Sequence, residues 1–437
     1  MHHKIYKFKN GLHLLYEKPY GDNKYSSINF AIEFGSIHEP NNQDGCAHFI
    51  EHMCFKGNDF IKSSKNLSIE FDKLGVYTNA YTEKKLTNYT FTCPNDNLLK
   101  TIDLLTNMLF FSTFNKYEFD KEYNVVLEEN YRDKQDFNEK INNIIDNYIY
   151  NDSCYQKPID NISFHLKKKL KRDDLYNIYK KYYTPDKMVI SICSSFNYDN
   201  ILKHCLNNKI SKYTNKDEYI KYNLKLNINS NLNYKIITQQ EKLTEVTYLS
   251  FAYRTCSYFN NDIYILNLIK HILSSGMSSR LFFNLREKHG LTYSSHVECN
   301  YFEHSGDFTI TCETSYNKLF GNNNVLDILV KTINNLIEYG IKQDELDKTL
   351  GYIKGQSLIA LNDNRILSEF NSVNFICNNL NGSIKNEFND KYKNITIDQI
   401  NRSLKKYLIK DNLLVAIISN KKINNNKIKP YIDKLLI

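Results

Sequence analysis

Two histidines four residues apart, with a glutamate just before the second, can act on one point only if the backbone between them is helical. His48-Phe49-Ile50-Glu51-His52 offers that geometry: residues four apart share a helix face, so both imidazoles aim at the same spot. Glu51 stands about 100° around the helix from His52, near enough to reach a water there without becoming a ligand. Zinc suits such a set, because it accepts neutral imidazole nitrogen and carboxylate oxygen and can keep one position open for water. An ordinary surface helix can carry the same five residues, so a metal centre requires a third donor.

Periodicity offers one. No Gly or Pro occurs from Asn115 to Arg132, and Glu122, Val125, Val126 and Glu129 fall at i, i+3, i+4 and i+7, one stripe of a helix. The two valines predict that this stripe faces inward and carries Glu122 and Glu129 with it, whereas Glu128 lies well off it and is solvated. A carboxylate on an apolar helix face is costly unless it meets a cation. Zinc would supply one; a lysine or arginine would serve as well, and an acid at the edge of the stripe can simply reach water.

Five segments in series carry a wider likeness: GCAHFIEHMCFKG (45–57), TNAYTEKKLTNYTF (78–91), EYNVVLEENYRD (122–133), LKRDDLYNIYKKYYTPDKMVISI (170–192) and GMSSRLFFNLREKHGLTYS (276–294). In these the chain resembles the M16 metallopeptidases over most of its length, and the order His-x-x-Glu-His is the inverzincin pattern. The resemblance implies that His48, His52 and Glu129 bind one zinc ion per chain, with 129 − 52 = 77 residues between the last two ligands. It makes Glu51 the general base and Glu122 a second acid beside the ligands. It also implies that Arg286 and Tyr293 reach an active site from the opposing half. There a guanidinium and a phenol can donate hydrogen bonds to a substrate carbonyl and to the oxyanion that develops on it. Read without the family, the same two residues are a helix-end arginine in a surface ion pair and a half-buried tyrosine. The strand around Asn79, Ala80 and Tyr81 resembles the family's substrate edge, where a peptide adds as an extra strand. Gly276-Met277-Ser278-Ser279-Arg280 lacks the glycine spacing and Lys-Ser/Thr end of a phosphate-cradling loop, and the resemblance makes it the start of a structural helix. Ser194-Ser195-Phe196 departs from the family, which carries glycine at this strand end, and leaves the local turn open.

The chain is also internally repetitive. AIEFGSIHEPNNQDGCAHFIEHM (31–53) is echoed by SFAYRTCSYFNNDIYILNLIKHI (250–272) at an offset of 250 − 31 = 219, and 75–93 is echoed by 290–312. Under that offset His52 meets His271, but Glu51 meets Lys270 and His48 meets Asn267, so the second copy lacks the ligands. Strands such as Ser27–Phe34 and Lys187–Cys193 alternate with helices such as Gly45–Cys54 and Asp174–Tyr182. Hairpin-like strands in both copies make the sheets largely antiparallel and the class α+β. The expectation is two homologous M16-type domains, each a mostly antiparallel mixed sheet with helices packed on it. Residues 1–215 would form the catalytic domain with the zinc site, and 225–437 a non-catalytic domain carrying the Arg/Tyr pair. A polar linker is expected near 212–232.

A chain of 437 residues, 41% hydrophobic and 24% charged, has the composition of a soluble globular protein with room for two cores. No apolar run approaches the ~20 residues needed to span a bilayer. The opening MHHKIYKFKNGLHLLYEK alternates like a strand and lacks the look of a signal or transit peptide. The ten cysteines are scattered singly, which points to free thiols in the cytoplasm or another reducing compartment; Cys46 and Cys54, flanking the zinc helix, read as packing residues. A net charge of +8 is mild for this length. The densest basic run, Lys167 to Arg172, reads as a solvated helix entrance, so nucleic acid is not an expected partner.

These readings converge on a zinc endopeptidase acting on unfolded or extended peptides. One active and one inactive domain make half of the family's closed chamber, so a homodimer is the simplest closure, with a heterodimer containing an inactive subunit as the other. The rival classes are a catalytically inactive structural subunit and a peptide-binding scaffold, since fold alone does not decide function.

Overall fold

The structure, a computed structural model, describes residues 3–40, 42–159, 170–213, 233–321, 323–378 and 384–436. Most of the expected linker, residues 214–232, and Lys167 to Lys169 of the basic run lie outside the described residues. The strands fall into two sheets. The first holds β1 (His3–Lys7), β2 (His13–Glu17), β3 (Tyr25–Ile32), β4 (Tyr77–Thr82), β5 (Thr87–Pro94) and β6 (Met188–Cys193), in the order β1-β2-β6-β3-β5-β4. The second holds β7 (Lys235–Gln240), β8 (Thr247–Thr255), β9 (Thr292–Tyr301), β10 (Gly306–Thr314) and β11 (Leu413–Ser419), in the order β7-β11-β8-β10-β9.

Without β1 the two orders coincide, strand for strand. Each contains one parallel pair, β2 with β6 and β7 with β11, and the remaining neighbours are antiparallel. β5 and β10 begin 306 − 87 = 219 residues apart, the spacing of the first sequence echo. The class is α+β, and the chain is two copies of one mixed, mostly antiparallel design.

Each central strand is covered on both faces. In β3, Ile28, Phe30 and Ile32 point into a core shared with the helices Cys46–Cys54 and Leu98–Phe110. Of the alternate residues, Ser27 and Asn29 are polar yet fully buried, because the helix Asn364–Asn378 lies across that side. Asn29 donates to Ser368 Oγ at 2.7 Å, Ser368 donates to Ser27 Oγ at 2.9 Å, and Asn371 donates to the buried Glu17 carboxylate at 2.7 Å. β8 repeats the scheme. Leu249, Phe251 and Tyr253 enter a second core with the helix Asp262–Ser274, while the helix Phe137–Ile149 packs across β8 and β11. That helix buries Ile141, Ile145 and Ile149 at a spacing of four, and Arg254 Nε donates to the Ile149 carbonyl at 3.1 Å. Tyr150 then donates to the buried Asp307 carboxylate at 2.6 Å.

The compact units are therefore discontinuous in sequence. One gathers 1–133, 157–224 and 356–386, and the other 134–156, 225–355 and 387–437. The contiguous division expected at 215 and 225 is crossed twice, because each sheet takes the helix on its second face from the other half of the chain.

Local boundaries have local causes. β3 stops at Ile32 rather than Phe34 because the chain then turns at Gly35 against the β4–β5 turn. A Cβ on Gly35 would lie 2.2 Å from the Glu83 carbonyl oxygen, so only glycine permits that approach. After β6, Ser194 occupies the position where glycine was expected. Its hydroxyl accepts from the Phe196 amide at 3.0 Å and its carbonyl accepts from Tyr16 at 2.9 Å, which closes the turn without glycine. Gly276 begins no regular helix at once; helical structure starts at Arg280, which grips Glu345 through two bonds of 2.8 and 2.7 Å.

Candidate metal centre

The helix Cys46–Cys54 starts from Gly45, whose φ of 85° suits glycine, and Glu39 caps it from outside by accepting the Gly45 and Ala47 amides at 2.8 Å each. Burial pushes the Glu39 carboxyl up to about 8, with those two donors acting in the opposite direction. Cys46, Ala47, Phe49, Ile50, Met53 and Cys54 bury the inner face, so Cys46 and Cys54 are packing residues. His48 and His52 occupy the other side, half-buried.

The helix Lys116–Asp133 docks through aromatic contacts: Phe49 stacks on Phe119 at 5.1 Å and meets Tyr123 edge-on at 6.3 Å. That packing fixes which acids face the histidines. The buried spine is Phe119, Glu122, Val126 and Asn130. Val125, expected inward, is 41% exposed, because spacings of three, four and four rotate the spine away from it. Glu122 and Glu129 still turn toward the histidines, at the centre and edge of the buried face, and Glu128 is exposed.

His52 Nε2 lies 3.1 Å from His48 Nε2 and 3.4 Å from Glu129 Oε2, and the donor atoms of His48, His52 and Glu129 fall within 4.8 Å of one another. Ligand atoms about 2.0–2.1 Å from a tetrahedral zinc ion are spaced by about 3.3–3.4 Å, so the donor set fits zinc in chemistry, and His52 Nε2 stands near that spacing from each of the other two donors. The other nitrogen of His52, Nδ1, is 2.8 Å from Glu122 Oε1. A proton on Nδ1 donates to Glu122 and leaves the Nε2 lone pair directed at the cluster, the usual support of a ligating histidine. Lys56 reaches the second oxygen of Glu122 at 2.6 Å. Burial raises the Glu122 carboxyl, but the bonds from His52 and Lys56 outweigh it and leave the group below its ordinary value. Glu51, 7% exposed, accepts a hydrogen bond from Thr82 Oγ1 at 2.6 Å.

Asn79 and Ala80 lie on β4, the terminal strand of the first sheet; Asn79 is exposed and Ala80 packs against the core. Arg286 and Tyr293 belong to the other compact unit. Arg286 is exposed on a π-helical turn, Phe282–Glu287, with its guanidinium 5.3 Å from the Phe282 ring centre, and Tyr293 is 64% exposed near the start of terminal strand β9. Three contributors were not singled out in the sequence: Glu39, Lys56 and Thr82. Lys56 and Thr82 sit inside segments of the family likeness, and Thr82 shares its strand face with Ala80, so the period of two was the available signal for it. Glu39 had none, because its partners are backbone amides.

Known proteins resemble this chain over most of its length. Residues 17–162 match the family described as Insulinase (Peptidase family M16), and residues 169–351 match the Peptidase M16 inactive domain. An uncharacterised zinc protease of Rickettsia felis is 32% identical over 320 residues, which cover 72% of this chain and 74% of that protein. A second, from Bacillus subtilis, is 29% identical over 82% of this chain and 84% of its own. Among solved structures, a protease from Helicobacter pylori superposes with a TM-score of 0.88 at 18% identity, covering 95% of this chain and 99% of that one. Among the described residues, no helix is long and apolar enough to cross a membrane. The chain belongs to the M16 family of peptidases.

Proposed function

We propose that this protein is a zinc endopeptidase that hydrolyses unfolded or extended peptides. The observation that carries the reading is the convergence of His48, His52 and Glu129 beside Glu51, on the same helix as the two histidines. Zinc, when bound, would act as a Lewis acid and bring the pKa of a water toward neutrality. Glu51 takes a proton from the attacking water as its oxygen bonds to the scissile carbon, then delivers that proton to the leaving amine as the C–N bond breaks. Glu122, held by Lys56, fixes the His52 ring. The terminal strand β4, around Asn79 and Ala80, receives the peptide backbone as an added strand. Arg286 and Tyr293 donate to the oxyanion; their exposure and the family likeness support this role. Because one chain carries both the zinc set and this pair, a homodimer with two equivalent sites is the simplest assembly.

The test is metal analysis together with product analysis on a mixed peptide pool. Wild-type protein should carry about one zinc per chain and release peptide fragments. Glu51→Gln should keep the zinc and lose cleavage, since an amide of nearly the same size cannot take the water's proton. Equal turnover by the two proteins, or none by zinc-loaded wild type, would overturn the proposal. The assembly has its own test: Glu51→Gln mixed with an Arg286→Ala/Tyr293→Phe double variant should regain activity on subunit exchange. A mixed dimer would hold one intact site of two, about half the wild-type rate.

A further inference from the structure

We infer that Thr82 is the positioning residue for Glu51, so that the strand receiving the peptide also sets the base; this rests on the peptidase reading above. Thr82 ends β4 and its Oγ1 is 2.6 Å from Glu51 Oε2. An ionised carboxylate can only accept and a hydroxyl has one proton to give, so in this bond the threonine donates. Such charge-assisted bonds are short and directional.

The hydroxyl is itself held. Thr82 pairs across the hairpin with Thr87, whose Oγ1 lies 3.4 Å away. Thr87 is fully buried and donates its own proton to the Phe34 carbonyl at 2.8 Å. With that proton committed, Thr87 could only accept from Thr82, and the single Thr82 proton goes to the Glu51 carboxylate at 2.6 Å in preference to the hydroxyl at 3.4 Å. Both residues are β-branched, with few χ1 options, and Gly35 seats the backbone after Phe34 against the turn that joins their strands. Glu51 therefore takes its orientation from the hairpin as well as from its own helix. Threonine supplies what the helix cannot, because a glutamate side chain has three rotatable bonds and its backbone alone does not set where the carboxylate points.

This role separates experimentally from a merely structural one. Thr82→Val keeps shape and strand propensity but removes the donor, and Thr82→Ser restores it. Zinc content, thermal unfolding, KM and kcat would be measured for both with the zinc-loaded protein. Thr82→Val should hold zinc and KM at wild-type values and lower kcat by about 10- to 100-fold, the scale expected for a misplaced reacting group. Thr82→Ser should recover most of that loss. Crystal structures of wild type and Thr82→Val supply a readout independent of turnover. Glu51 should adopt one rotamer bonded to Thr82 in wild type and several in the variant. An unchanged kcat in Thr82→Val, an equal loss in Thr82→Ser, or an undisturbed Glu51 rotamer in the variant would overturn the inference. Absence of cleavage by wild type would instead count against the peptidase reading, and the rotamer comparison would still decide the role of Thr82.

Discussion

The helices Cys46–Cys54 and Asp262–Ser274 occupy equivalent places beside equivalent sheets, yet only the first presents a metal-binding set among the described residues. At the matched positions the second helix has Asn267, Lys270 and His271. Asn267 accepts from Tyr301 at 3.3 Å, and His271 bonds Ser275 at 2.7 Å. Burial, with help from Lys270, lowers His271 to about 4, so it stays neutral. Aligning the starts of the helices Lys116–Asp133 and Gln343–Ala360, 343 − 116 = 227, sets Thr349 against Glu122 and Gln356 against Glu129. The same strand order carries either set. What the first copy adds is a group of charged and polar side chains whose cost is offset only by each other and by a cation.

The comparison breaks most visibly at the third ligand. Glu129→Gln should abolish stoichiometric zinc binding, while Glu128→Gln, one position round the helix, should leave it intact; metal analysis of both proteins checks this. In the other direction, Asn267→His should not bring a second zinc into the chain, because no acid stands at either matched position of the partner helix.

Next come the clasps that hold each exchanged helix. Tyr150→Phe removes one of the donors to buried Asp307, and Asn371→Leu removes a donor to buried Glu17. Each should lower stability to denaturant by about 1–3 kcal/mol, the cost of leaving a buried acceptor short of a partner. If one is silent and the other is not, the two units do not use their borrowed helices alike.

A smaller effect should appear in pH dependence, read at two groups of the first unit. His38 titrates at about 3, because burial and then Lys85, Lys187 and Lys157 oppose its charge. Its contribution is complete above pH 6.5 and is lost as pH falls toward 3. Glu39 titrates at about 8 against an ordinary 4.5, so its contribution is complete below pH 4.5 and is lost as pH rises through 8. These two groups together leave a plateau between 4.5 and 6.5. Glu39→Gln should flatten the alkaline decline and keep the acid one, as read by thermal unfolding across pH. The smallest effect belongs to the surface: Lys116→Gln breaks an i,i+4 pair with Asp120 whose side chains are 80% and 58% exposed, and should change stability by less than about 0.5 kcal/mol.

Much of this was legible before the fold. Spacing of four put His48 and His52 on one face, and helical period carried Glu129 toward them and Glu128 away. Two echoes at similar offsets, 219 and 215 residues at their starts, disclosed the duplication. All three are local or periodic signals, and backbone geometry converts them directly into direction. Val125 marks the limit of that logic, because a stripe read from four residues cannot say which edge of it the neighbouring helix will cover.

What tertiary structure alone decided is who covers whom. Ser27 and Asn29 alternate with apolar residues in β3 in the manner of a strand with one face in water, and yet that face is buried beneath Asn364–Asn378, drawn from the other half of the chain. No local pattern encodes a partner more than three hundred residues away, and a polar buried face is stable because Ser368 and Asn371, with Asn88 and Thr90 of β5, satisfy it. The same holds at the site. His48-Phe49-Ile50-Glu51-His52 determined by itself that two imidazoles and a carboxylate would share a helix. That Glu39 caps this helix, Lys56 steadies Glu122 and Thr82 holds Glu51 depended on packing, since hydrogen bonds between distant elements exist only once the elements have met.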